Sequence, residues 1–129
     1  MKLGCPCGAG MVDQTDRLSY KAYLLPDQDA FTFSDRLESL LDGLIGLDGR
    51  RGANVTVQIV PTRNRLRREL TRLWAGSFRS VYQCPECGRL NVESLDGQRD
   101  YWFLPEDGAT PRNLLESIAA QRQAGRGAD

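Results

Sequence analysis

The spacing of apolar residues changes period several times along the chain, and each change marks an element. Residues 18–25 alternate loosely and stop at Pro26, the pattern of a strand. From Thr32 the apolar positions Phe33, Leu37, Leu40, Leu41, Leu44 and Ile45 recur at helical spacing, and Thr32 with Asp35 forms a capping box, so a helix is predicted to start there. Glycine then falls at every third position (Gly43, Gly46, Gly49, Gly52), which weakens helix and predicts a mobile turn. Residues 53–60 are β-branched and alternating, which predicts a strand closed by Pro61. Over 62–75, Leu66, Leu70, Leu73 and Trp74 make one apolar helix face. Residues 80–83 read as a strand paired with 18–25. Residues 90–93, the Asp96-Gly97 turn and residues 101–104 read as a β-hairpin. Pro111 followed by Leu114, Leu115 and Ile118 predicts a third helix, and residues 121–129 lack apolar anchors and read as a disordered tail.

The predicted class is therefore α+β: an antiparallel sheet with about three helices, two of them in a long insertion around 30–76. A chain of 129 residues with 40% hydrophobic content suits one compact domain, expected over 1–120. No apolar run approaches the ~20 residues of a spanning helix, and the first residues lack a basic-then-apolar leader, so a soluble, cytoplasmic protein without membrane attachment is expected. In that reducing setting, four cysteines in two close pairs point to a metal ahead of disulfides.

The second pair, Cys84-Pro85-Glu86-Cys87-Gly88, has the spacing that lets two thiolates reach one ion, and Gly88 allows the backbone to turn tightly beneath them. The first pair, Cys5-Pro6-Cys7-Gly8, is one residue shorter. The chain has no histidine, so a protein-only tetrahedral site would use all four cysteines, and structural zinc on Cys5, Cys7, Cys84 and Cys87 is the favoured reading. Two others compete with it. Cys84 and Cys87 could form a redox dithiol, although such a pair normally opens a helix; the cysteines could also be buried and unligated, although clustering beside Pro and Gly speaks against that.

Two cysteine turns with a β-hairpin after the second resemble the zinc ribbon class, in which such turns clamp zinc at one end of a small antiparallel sheet. The chain departs from it in its C-x-C first turn and its long insertion. With Cys5-Pro6-Cys7-Gly8 and the stretch from Tyr20-Lys21-Ala22-Tyr23 through Asp27-Gln28-Asp29, the whole chain also resembles small bacterial proteins of an uncharacterised family.

Charge sums to zero, 17 basic against 17 acidic residues, but is unevenly spread. Asp13, Asp16, Asp27, Asp29, Asp35, Glu38, Asp42 and Asp48 crowd the first part and the arginines the middle. These charges could pair with each other or simply solvate helix faces. Two functional classes follow. One is a zinc-stabilised protein-interaction module, for instance an immunity or regulatory partner of a basic protein. The alternative is a nucleic-acid-binding zinc ribbon that contacts phosphates through Arg63, Arg65, Arg67, Arg68 and Arg72. Asp13, Asp16, Asp27 and Asp29 lack the glycine and distal glutamate of a calcium loop and read as turn residues. Within the last strand, Tyr101 and Phe103 are assigned to the core and Trp102 to an exposed contact. No enzyme is expected: without histidine the Ser-His and Cys-His arrangements are excluded, and a four-cysteine zinc site keeps no position open for water. The oligomeric state is not set by the sequence.

Overall fold

The computed structural model describes residues 1–45 and 55–126. Six strands and three helices follow in the order β1 (Lys2–Gly4), β2 (Gly10–Val12), β3 (Lys21–Leu24), α1 (Asp27–Ile45), α2 (Val55–Ser77), β4 (Arg79–Gln83), β5 (Leu90–Glu93), β6 (Asp100–Phe103) and α3 (Ile118–Arg126). The fold is α+β, with every strand pair antiparallel and α1 and α2 carried in the insertion. Two compact units result, one from Met1–Leu24 with Arg79–Asp129 and one from Leu25–Phe78.

In the first unit, β1 and β2 form a two-stranded hairpin, and β3-β4-β5-β6 form a four-stranded sheet. The pairing of β3 with β4 follows the expectation, with Lys21 opposite Tyr82 and Leu24 opposite Arg79. The β5–β6 hairpin turns where expected: Gly97 has φ +69°, and Asp96 Oδ1 accepts hydrogen bonds from Ser94 Oγ at 2.6 Å and Gln98 N at 3.0 Å. The β1–β2 hairpin was not legible, because its three-residue strands are too short to show alternation.

The core of this unit is Cys5, Met11, Tyr82 and Cys84, with Leu3, Ala9, Tyr20, Cys87 and Trp102 packed against it. Trp102 lies opposite Asn91 and faces this core, whereas Tyr101 and Phe103 are half exposed on the other face of the sheet. That inverts the expectation for these three aromatics. A period of two separates the faces of a strand without saying which faces inward.

The second unit is a helical hairpin in which α1 packs against α2. Helix α1 starts at Asp27, not at Thr32, so Thr32 and Asp35 lie inside it and form no cap. Pro26 precedes it, and Asp27 and Asp29 sit in the first turn, where the helix N-terminus favours negative charge. These two aspartates are thus helical and not turn residues. Helix α2 begins at Val55 and runs through Pro61, which replaces the strand predicted over 53–60; Ala53 and Asn54 lie outside the described residues. The glycine-rich turn falls outside them too, apart from Gly43, which is in α1. Strand preference loses here because extending an existing helix by a β-branched residue costs only about 0.5 kcal/mol, whereas a strand needs a neighbour to pair with. The third helix starts at Ile118, after Leu114 and Leu115, and continues to Arg126 through residues that read as tail.

Polar contacts join the first hairpin to the sheet. Asp13 Oδ2 accepts from Lys21 Nζ at 2.5 Å and from the Tyr82 hydroxyl at 2.6 Å, and the Tyr20 hydroxyl donates to Val12 O. The Lys21 hydrogen bond, then that of Tyr82, holds the Asp13 carboxyl below its ordinary value. A carboxylate with a depressed folded-state pKa contributes stability that is complete above about pH 5 and lost as pH falls through the folded value. Replacement D13N should therefore cost about 1–2 kcal/mol at neutral pH and almost nothing near pH 2, read by urea unfolding across that range. An equal cost at both ends would exclude this role.

Candidate metal centre

Each cysteine pair sits in the loop of a β-hairpin, and the two loops are built alike. In the first, Cys5 N donates to Ala9 O at 2.8 Å, Gly8 N donates to Cys5 O at 2.9 Å, and Gly8 has φ +99°. In the second, Cys84 N donates to Arg89 O at 2.9 Å, Gly88 N donates to Cys84 O at 2.8 Å, and Gly88 has φ +79°. A glycine after the second cysteine adopts the left-handed conformation that other residues reach only with strain. The first loop is one residue shorter and keeps the same closing bonds. The C-x-C spacing therefore still turns both sulfurs the same way.

The pairing of β3 with β4, together with the Asp13 contacts, brings the loops face to face. Cys5 Sγ lies 3.6 Å from Cys87 Sγ and Cys7 Sγ lies 3.7 Å from Cys84 Sγ, each contact crossing between the loops. All four sulfurs fall within 4.8 Å of one another. Four thiolates on a tetrahedral ion with bonds of about 2.3 Å stand about 3.8 Å apart, close to the two separations across the loops, so the cluster is compatible with a metal site. A disulfide would need about 2.0 Å, and all four cysteines are free. The second pair lies in the loop between β4 and β5, unlike a redox dithiol that opens a helix.

Cys84 is fully buried, Cys5 nearly so, Cys87 partly, and Cys7 is exposed. Burial pushes the Cys5 thiol up to about 12 and raises Cys84 as well. At Cys87 burial is the largest single effect and raises the thiol, but the Arg89 backbone N–H and the three neighbouring thiols together outweigh it and bring it down to about 7. A cation among the four sulfurs would supply the positive charge that burial otherwise denies their ionised forms.

Gln83, next to Cys84, was not legible as part of this site. Its side chain is fully buried and fully occupied: Nε2 donates to Pro111 O at 2.9 Å and Gly88 O at 3.4 Å, and Oε1 accepts from Leu114 N at 2.8 Å. It thereby pins the segment after β6 to the second loop, where a side chain at Gly88 would also meet Pro105 and Arg112 at 3.6 Å. A polar residue between Tyr82 and a cysteine carries no sequence signal of such a role. The other sequence-assigned binding residues lie elsewhere. Arg63, Arg65, Arg67, Arg68 and Arg72 are exposed on α2, and Trp102 belongs to the core beside the sulfurs. Tyr101 and Phe103 line a shallow groove with Arg79 and Arg99. No helix among the described residues is long and apolar enough to cross a membrane.

Residues 1–107, from the first loop through the β5–β6 hairpin, match the family model described as Domain of unknown function (DUF8617), and the chain belongs to that family. No curated protein and no solved structure matches it.

Replacement Q83L should cost about 1 kcal/mol, because it removes the part-buried hydrogen bonds to the Leu114 N–H and the Pro111 carbonyl. Hydrogen exchange should show the Leu114 amide losing protection while the β4–β5 amides keep theirs. Unchanged protection at Leu114 would rule out the pin.

Proposed function

We propose that the protein is a non-catalytic zinc-binding interaction module of zinc-ribbon type, in which one structural zinc holds together the unit that carries an inserted helical hairpin. The observation that carries the metal half is the fit of four sulfurs, two from each hairpin loop, to a tetrahedral ion. An all-thiolate tetrahedral set suits zinc or iron, and a site with four protein ligands keeps no place for an activated water, which favours structure over catalysis.

Support for the interaction half comes from the insertion. Helix α1 carries five carboxylates and one arginine, and α2 carries five arginines and one carboxylate. A nucleic-acid surface would gather its cations on one face, yet Arg63 and Arg67 lie on one side of α2 and Arg65, Arg68 and Arg72 on another, beside an acidic helix. A surface of both signs fits a protein partner better than a phosphate backbone.

Purified protein should contain one equivalent of zinc, by elemental analysis, and be colourless, which distinguishes zinc from iron. Chelation should release the metal, expose four thiols to titration and abolish cooperative unfolding, since structural zinc contributes on the order of 10 kcal/mol. Replacement C87S should lose the metal and cooperative unfolding without chelator, leaving three titratable thiols. Metal-free protein that unfolds cooperatively with four unreactive thiols would defeat the proposal.

A further inference from the structure

Strand β6 is the outer strand of the four-stranded sheet and pairs on one side only, with β5. Which of its backbone groups stay free follows from the hairpin. Ser94 N donates to Arg99 O at 2.8 Å, and hydrogen-bonded pairs recur at every second residue of an antiparallel ladder, so Val92 with Tyr101 and Leu90 with Phe103 exchange the bonds. Asn91 spends its own bonds on Tyr82, as the bond from Cys84 N to Arg89 O requires by the same count along β4 and β5. Asp100 and Trp102 therefore turn their N–H and C=O groups away from the sheet, and no backbone group among the described residues meets them. Sheet edges are commonly blunted by lysine, proline or a bulge. Asp100-Tyr101-Trp102-Phe103 has none of these.

The side chains along this edge are sorted by face. Arg99, Tyr101 and Phe103 stand on the face turned away from the sulfurs and line the groove there with Arg79, Val92 and Ser94. Tyr101 is 50% exposed and Phe103 55%. Glu93 borders the groove but pairs with Asp100 on the sulfur face, and Asp96 accepts from Ser94 Oγ and Gln98 N. Among the described residues neither Arg99 nor Asp100 makes an ion pair. The edge thus offers two apolar positions and a cation on one face, and an anion on the other.

A strand laid antiparallel along this edge would bond to Asp100 and Trp102. Its alternate residues would fall opposite Phe103, Tyr101 and Arg99, at the non-hydrogen-bonded positions where side chains come closest. A second copy of β6 does not complete the pattern. Its outward bonds would set Arg99 opposite Arg99, Tyr101 or Phe103, and Asp100 opposite Asp100 or Trp102, never an opposite charge. A segment with two alternate apolar residues, then a cation, then a carboxylate does complete it, the cation meeting Asp100 and the carboxylate Arg99.

We propose that the free edge of β6 binds an extended peptide segment of a partner protein as an added antiparallel strand, with apolar side chains against Phe103 and Tyr101 and a carboxylate against Arg99. This deepens the interaction reading above, on which it rests, by giving the partner's chemistry and its place on the sheet.

The test presents full-length, zinc-loaded protein to a display library of random peptides. Enriched peptides should carry apolar residues at alternate positions, followed by Lys or Arg and then by Asp or Glu, and synthetic copies should bind with Kd on the order of 10 μM. Replacement D100P removes an outward N–H and spares the ladder to β5, so binding should fall at least tenfold while zinc content and β4–β5 amide protection hold. With R99E the selected carboxylate should give way to Lys or Arg, a change of preference that loss of stability alone would not produce. Enriched peptides that lack the pattern, or that bind D100P as well as wild type, overturn the edge site and leave the interaction reading standing. No enrichment sinks both. Self-association of the free protein that D100P abolishes gives the edge to a second copy and overturns the peptide site.

Discussion

Everything in the sheet-bearing unit depends on four sulfur atoms meeting at one point. Two of the four residues at the centre of its core, Cys5 and Cys84, are themselves members of the sulfur cluster, and a third member, Cys87, packs against it. Little apolar surface remains to hold the β1–β2 hairpin to the sheet by burial alone, and small cores of this kind are where metals commonly make up the difference. Cys7 and Cys84 are 77 positions apart, so the convergence closes a long loop. Because closure entropy grows only slowly with length, the inserted helices add little to that cost.

Around this point the polar contacts set orientation more than strength. Asp13 reaches Lys21 and Tyr82 and fixes the angle at which the first loop meets the second. Gln83, on the opposite face of β4 from Tyr82, holds the chain after β6 across the back of the second loop. Each is buried or half-buried and each has its hydrogen bonds made, which is the condition under which polar groups stabilise a core instead of weakening it. The cysteine turns are thus held from two sides by side chains that carry none of the four sulfurs.

The insertion follows a different logic. Opposite charges are sorted onto separate helices and no ion pair joins the two helices among the described residues, while apolar side chains flank the contact between the helices. Isolated surface pairs stabilise a monomer little, whereas charge sorted in this way selects what approaches and in which orientation.

Local chemistry was readable without coordinates. The two cysteine turns with their glycines, the pairing of residues 18–25 with 80–83, the Asp96-Gly97 hairpin and the helical spacing of α1 are each specified within a few residues or by one plain strand match. The tertiary structure decided what local patterns leave symmetric or outweighed. Trp102 turned inward and Tyr101 outward because Trp102 shares its face with Tyr82 and the sulfurs, a fact of pairing that alternation cannot supply. Val55–Val60 became helix because a strand there had local preference on its side but needed a partner, while the helix could extend from residues already committed to it. The sequence determined by itself that four cysteines would stand in two turns; only the folded chain decided that their sulfurs meet within 4.8 Å, because that distance is set by contacts between residues far apart in the chain.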